Sequence, residues 1–166
     1  MCDRCAGKAV VRSAEEGDAW WYDGGLMTVK ARPADTGGSL SVIDVLVPRG
    51  KATPLHVHPE AEETFFVIDG ELIVHIDGID HRVTAGGTST IRRGTPHAFA
   101  VASTQAHILV TFSPGGGEQY FIDAGEPALR RELPPDGKPD FERFKKAAES
   151  NGVVLLGPPP FDLAAL

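Results

Sequence analysis

TPLHVHPEAEETFFVIDG, residues 53–70, decides the fold. His56 and His58 stand two apart, Glu63 follows five residues on, and Gly70 closes the run behind an aspartate. Side chains of an extended backbone alternate between faces, so the two imidazoles point the same way. Two imidazoles beside a carboxylate form a mixed nitrogen and oxygen donor set for a divalent transition metal. A fourth donor, His97, lies downstream in RRGTPHAFAV, residues 92–101. A lone His-x-His pair would read as ordinary surface polar residues. The glutamate at this spacing, the flanking glycines and the later Gly94-x-x-His97 make a metal site the stronger reading.

Strand parity extends the site outward. If Glu63 faces inward, so do Phe65 and Val67; if His97 faces inward, so do Phe99 and Val101. These four are the expected walls of an apolar pocket for a small-molecule substrate. His75, His81 and His107 have no partners at ligand spacing and read as structural or solvent-facing. The Trp20-Trp21-Tyr22 cluster reads as core or dimer packing.

The rest of the chain supplies short strands. Residues 40–47 are rich in β-branched side chains, and runs at 64–68, 71–76, 81–84, 88–91, 97–101 and 107–112 follow between glycine turns. Asp69-Gly70 and Asp77-Gly78 both read as hairpin turns, because type I′ turns need positive φ. Residues 9–11, 20–22 and 26–31 add strands at the N-terminal end. Residues 119–123 suit an edge strand or a short helix. Residues 139–150 read as a helix with Phe141, Phe144 and Ala148 on one face, stopped by Asn151-Gly152, and 153–156 as a last strand. Many short strands with glycine turns predict an all-β sandwich or barrel, not a parallel sheet.

Bulk properties narrow the partners. A chain of 166 residues suits one domain, 1–166, with segments 9–31 and 139–166 packing on a barrel over about 40–112. Net charge is −7 with no basic stripe, which argues against nucleic acid. Cys2 and Cys5 form an isolated C-x-x-C, read as two exposed thiols on a frayed end. No apolar run is long enough for a signal peptide or a membrane span, so no membrane partner and a cytoplasmic location are expected.

The spacing Gly50, His56, His58, Glu63, Gly70 resembles the first motif of the cupins, and Gly86, Arg92, Gly94, His97, Val101 resembles the second. The family pattern has proline at Arg92 and asparagine at Val101; neither position is a metal ligand. The resemblance implies a double-stranded β-helix, the jelly-roll barrel, with a short C-terminal helix here. It also implies a homodimer and one divalent metal per chain on His56, His58, Glu63 and His97, whether nickel, manganese, iron, cobalt, copper or zinc. A wider likeness, from residues 20–31 to the LGPP tail, is to single cupins of the quercetin 2,3-dioxygenase-like kind. The expected activity is therefore a metal-dependent dioxygenase for an aromatic or enolic (flavonol- or polyketide-like) substrate, with Glu63 as general base. A polyketide cyclase or isomerase working without oxygen, or a small-molecule-binding cupin, is the alternative.

Overall fold

The computed structural model describes residues 9–135 and 137–164; Cys2 and Cys5 lie outside them. In chain order the elements are β1 (Asp18–Tyr22), β2 (Gly25–Ala31), α1 (Pro33–Thr36), β3 (Ser41–Pro48), β4 (Leu55–Val57), β5 (Glu62–Asp69), β6 (Glu71–Ile76) and β7 (Ile79–Thr84). Then come β8 (Thr88–Ile91), β9 (His97–Val101), β10 (Gln105–Ser113), α2 (Glu118–Ala124), β11 (Glu126–Pro127), α3 (Phe141–Ser150) and β12 (Val154–Gly157). The strands form two antiparallel sheets. One runs β11-β1-β2-β3-β10-β5-β8 and the other β12-β4-β9-β6-β7. This is an all-β jelly roll of the double-stranded β-helix kind, built as two sheets over one core rather than as a closed barrel.

Alternation puts the core between the sheets. β3 buries Ser41, Ile43, Val45 and Val47 and turns Val42, Asp44 and Leu46 toward the other face. β5 buries Glu63, Phe65 and Val67 and leaves Phe66 and Ile68 exposed. A one-residue slip would reverse both sets, so the apolar pattern fixes the register. Leu72 and Val74 of β6 and Val101 of β9 complete the core from the second sheet.

The two Asp-Gly pairs behave differently. Asp77 (φ 48°) and Gly78 (φ 87°) close the β6–β7 hairpin, where Ile76 opposes Ile79. Asp69-Gly70, also expected to close a hairpin, does not: it carries the chain from β5 in one sheet to β6 in the other. The corner is held by Ser103, whose Oγ accepts from the Glu71 amide at 2.9 Å. A Cβ on Gly70 would lie 2.3 Å from the Gln105 carbonyl oxygen. Asp23-Gly24, with φ of 45° and 79°, closes the β1–β2 hairpin between the two expected N-terminal strands.

Other differences are local. Residues 9–11 carry no strand. Residues 119–123 fall in helix α2. On α3 Ala148 and Phe144 face inward as expected, with Ala147 buried beside them, whereas Phe141, in the first turn, is 72% exposed. Phe144 packs on Tyr22 at 4.7 Å between ring centroids, and β12 pairs with β4. The C-terminal segment is thus part of the wall around the interior. No helix among the described residues is long and apolar enough to cross a membrane.

Candidate metal centre

The four expected donors converge, and they come from both sheets. His56 in β4 sits directly opposite His97 in β9, with ring centroids 4.3 Å apart. His58 follows just past the end of β4, its ring 4.9 Å from His56 and 5.4 Å from His97. Glu63 reaches them from β5 of the other sheet. One ligating atom from each of the four lies within 4.8 Å of every other. His56, Glu63 and His97 are buried, and His58 is half-buried.

Hydrogen bonding sets the tautomers. His56 Nδ1 lies 2.8 Å from the Pro54 carbonyl oxygen and His97 Nδ1 2.9 Å from that of Thr95. A carbonyl only accepts, so each Nδ1 carries a proton and donates it. Each Nε2 is then left as the lone-pair donor, the arrangement by which a backbone carbonyl orients a ligating imidazole.

The ligating atoms gather around Glu63. His97 Nε2 is 2.8 Å from Glu63 Oε2, and His58 Nε2 is 3.3 Å from the same oxygen. His58 Nε2 is buried with no hydrogen-bond partner among the described residues. Without a cation, a neutral His97 would press a nitrogen lone pair against a carboxylate. Burial drives the His97 imidazole toward neutrality, yet its hydrogen bond to Glu63 outweighs that and holds its pKa above the ordinary value. For Glu63, burial opposes ionisation, but the close approach of the His58 and His97 imidazoles prevails and keeps the carboxyl well below the usual carboxylate range. Burial, with the neighbouring His97, lowers the His56 pKa to about 4. A divalent cation satisfies all of these groups at once, so the donor set fits a transition metal.

A cavity of about 820 Å³, counted out to its open mouth, adjoins the cluster. His56, His58 and Glu63 line it, while His97, 1% exposed, lies behind them. Phe65 and Phe99, expected on the wall, are on it, with ring centroids 5.3 Å apart. Val67 and Val101, expected there too, are not among its lining residues and belong to the packed core. The correction has a simple cause. Val67 pairs with Ile108 and Val101 with Leu72, deep between the sheets, so sharing a face with a ligand does not bring either residue to the opening.

Four aromatics not expected at the cavity complete its wall, among them Tyr22, which also packs in the core as expected. His58 meets Phe112 at 5.2 Å, Phe112 meets Phe121 at 6.4 Å, and Phe121 meets Tyr22 at 5.5 Å and Tyr120 at 5.3 Å. A signal for Phe112 was present, since it lies opposite Glu63 in the β5–β10 pair. Tyr120 and Phe121 arrive on α2, whose position no local pattern reveals.

Donors from both sheets, gathered at the end of an apolar cavity, make a jelly roll with a cluster that could hold a metal ion. Sequence comparison agrees: residues 43–113 match the family model described as Cupin domain. Over 143 residues the chain is 29% identical to a quercetin 2,3-dioxygenase from Bacillus subtilis, covering 85% of this chain and 42% of that protein. It is 38% identical over 73 residues to an oxalate oxidase from Hordeum vulgare, 39% of this chain and 36% of that one. The chain therefore spans well under half the length of these relatives. The ectoine synthase of P. lautus superposes with a TM-score of 0.60 at 18% identity, over 78% of this chain and 96% of that one, a likeness of fold alone.

Proposed function

We propose that this cupin is a metal-dependent dioxygenase acting on a small aromatic or enolic substrate of the flavonol or polyketide kind. One observation carries the reading: His56, His58 and Glu63 present their donors at the end of a cavity whose nearby walls are aromatic and aliphatic. The likeness to a quercetin 2,3-dioxygenase along 85% of the chain supports a flavonol as the first substrate to try.

One divalent metal on the four donors, whether nickel, manganese, iron, cobalt, copper or zinc, would supply Lewis-acid polarisation of a substrate oxygen and lower the pKa of its hydroxyl. The chain's own side chains do the rest. The Pro54 and Thr95 carbonyls hold two imidazoles in their ligating tautomers. Glu63 is ionised and lines the cavity, and it takes the substrate hydroxyl proton on its carboxylate. Phe65, Phe99 and Phe112 orient the ring and keep water from it. The same reading includes a homodimer, which light scattering at micromolar concentration tests; a monomer mass would remove that part.

The decisive experiment is oxygen uptake with a flavonol after loading metal-free protein with nickel, manganese, cobalt, iron or copper in turn. Uptake with ring-opened product is expected for at least one metal. Silence with all five withdraws the dioxygenase reading for flavonols. Turnover that continues in the absence of oxygen would instead make the protein a cyclase or isomerase.

A further inference from the structure

The cavity has a second polar pole. Tyr22 ends β1 and Tyr120 sits on α2, and their hydroxyl oxygens are 2.7 Å apart. Both residues line the same cavity as His56, His58 and Glu63. The aromatic wall described above, His58 to Phe112 to Phe121, leads from the donor cluster to this pair.

Proton counting makes the pair unusual. Two phenols hold two O–H protons, and one is used in the bond between them. Among the described residues the Tyr22–Tyr120 bond is the only hydrogen bond either hydroxyl makes, so the second proton has no acceptor there; the Asp23 carboxylate on the same cavity is engaged by Lys51 at 3.1 Å. Tyr22 is 9% exposed and Tyr120 half-buried. An O–H left without an acceptor in such a place is costly, so it is open to a partner from whatever fills the cavity, water in the empty site and a ligand oxygen in the occupied one. The ring contacts of Tyr22 with Tyr120, Phe121 and Phe144 fix where that proton can be delivered.

We infer that the Tyr22–Tyr120 hydroxyl pair is a substrate-orienting donor, selecting an aromatic ligand that carries an acceptor oxygen, a carbonyl above all, away from the atom presented to the His/Glu cluster. The inference rests on the reading of this cavity as a substrate site, but not on oxygen chemistry. The pair is a relay: either hydroxyl can donate to the other and leave its partner's proton for the ligand. One phenol therefore suffices, and loss of both is needed to remove the donor.

The test uses the metal-free 166-residue chain and two aromatic probes of like shape, acetophenone, which has an acceptor oxygen, and isopropylbenzene, which has none. Binding is followed by NMR titration in wild type, Tyr22→Phe, Tyr120→Phe and the double variant. The ratio of the two affinities should change little in either single variant. It should fall against acetophenone by about three- to tenfold in the double variant, the range of a neutral hydrogen bond. Isopropylbenzene affinity should stay within about twofold, which shows that the cavity is intact. A ratio unchanged in the double variant, a ratio that collapses equally in all three variants, or failure of both probes to bind wild type would each overturn the assignment. Flavonol oxidation by the metal-loaded wild type is scored separately. Oxidation without discrimination refutes the tyrosine pole alone, and discrimination without oxidation refutes the dioxygenase alone.

Discussion

Histidine meets carboxylate in two settings in this molecule. Inside, His97 and His58 approach Glu63 at 2.8 and 3.3 Å, and the Glu63 side chain is 5% exposed. Outside, His75 meets Asp80 at 2.6 Å, and His107 meets both oxygens of Asp44 at 3.1 Å. Distance does not separate the two settings. What separates them is burial and the occupation of the second ring nitrogen. His97 has Nδ1 committed to a backbone carbonyl, so its Nε2 can only offer a lone pair or become charged. The outer pairs lie nearer solvent and close as ordinary side-chain hydrogen bonds. A metal site is thus recognised by donors that the protein has oriented and then left unsatisfied.

The largest expected difference between the settings is in metal-linked stability. At a free metal concentration a thousandfold above Kd, binding should stabilise the fold by about 4 kcal/mol, which for a chain of this size is a Tm rise of about 8–16 °C. Alanine at His56, His58, Glu63 or His97 should each abolish that rise and weaken metal binding by more than about 100-fold, beyond the usual effect of outer-shell changes. Calorimetry with and without chelator, and elemental analysis of each variant, measure both. A variant of one of the four that still binds metal stoichiometrically and keeps the rise would remove that residue from the donor set.

Acid sharpens the comparison next. The His56 pKa is lowered to about 4 in the fold against an ordinary value of 6.5. The unfolded chain therefore binds the proton first as pH falls, and stability from this group is complete above 6.5 and lost toward 4. The loss approaches about 3 kcal/mol in metal-free protein. His97 runs the other way: its raised pKa gives stability that is full below 6.5 and is lost as pH rises through the folded value. Loading metal must expel the His97 proton, so metal affinity should fall by about tenfold per pH unit below that value. Chelator competition between pH 5.5 and 8 reads this slope, and urea titrations at the same pH values read the stability. Affinity that does not change across this range would show that no donor carries a proton before loading.

The sequence revealed the inner setting because its chemistry is local in register. His-x-His, Glu63 and Gly-x-x-His each lie in one short segment, and strand parity fixes which neighbours share their face. It did not reveal which of those neighbours reach open space. Phe65 and Val67 have the same parity, yet only Phe65 lines the cavity, because depth along a strand depends on what caps the sheets. The caps are α2, α3 and the β1–β2 hairpin, placed by contacts more than eighty residues apart in sequence, such as Tyr22 with Tyr120 and with Phe144. The Asp-Gly turns teach the same lesson. Asp69-Gly70 and Asp77-Gly78 share a local chemistry, but a bond from a residue as distant as Ser103 decides that the first makes a corner between sheets.

The smallest effect is expected from the outer pairs, and it tests the comparison from its other side. His107 and Asp44 are 36% and 31% exposed in their side chains, and His75 sits opposite an Asp80 that is 57% exposed. Polar contacts in such places contribute about 0–1 kcal/mol, because water solvates both groups once the contact is broken. His107→Ala and His75→Ala should therefore shift stability by less than about 1 kcal/mol and leave metal content unchanged, as urea titration and elemental analysis would show. If metal content fell in either variant while the inner donors remained, proximity to a carboxylate would matter more than burial. The argument from oriented, unsatisfied nitrogens would then fail for this protein.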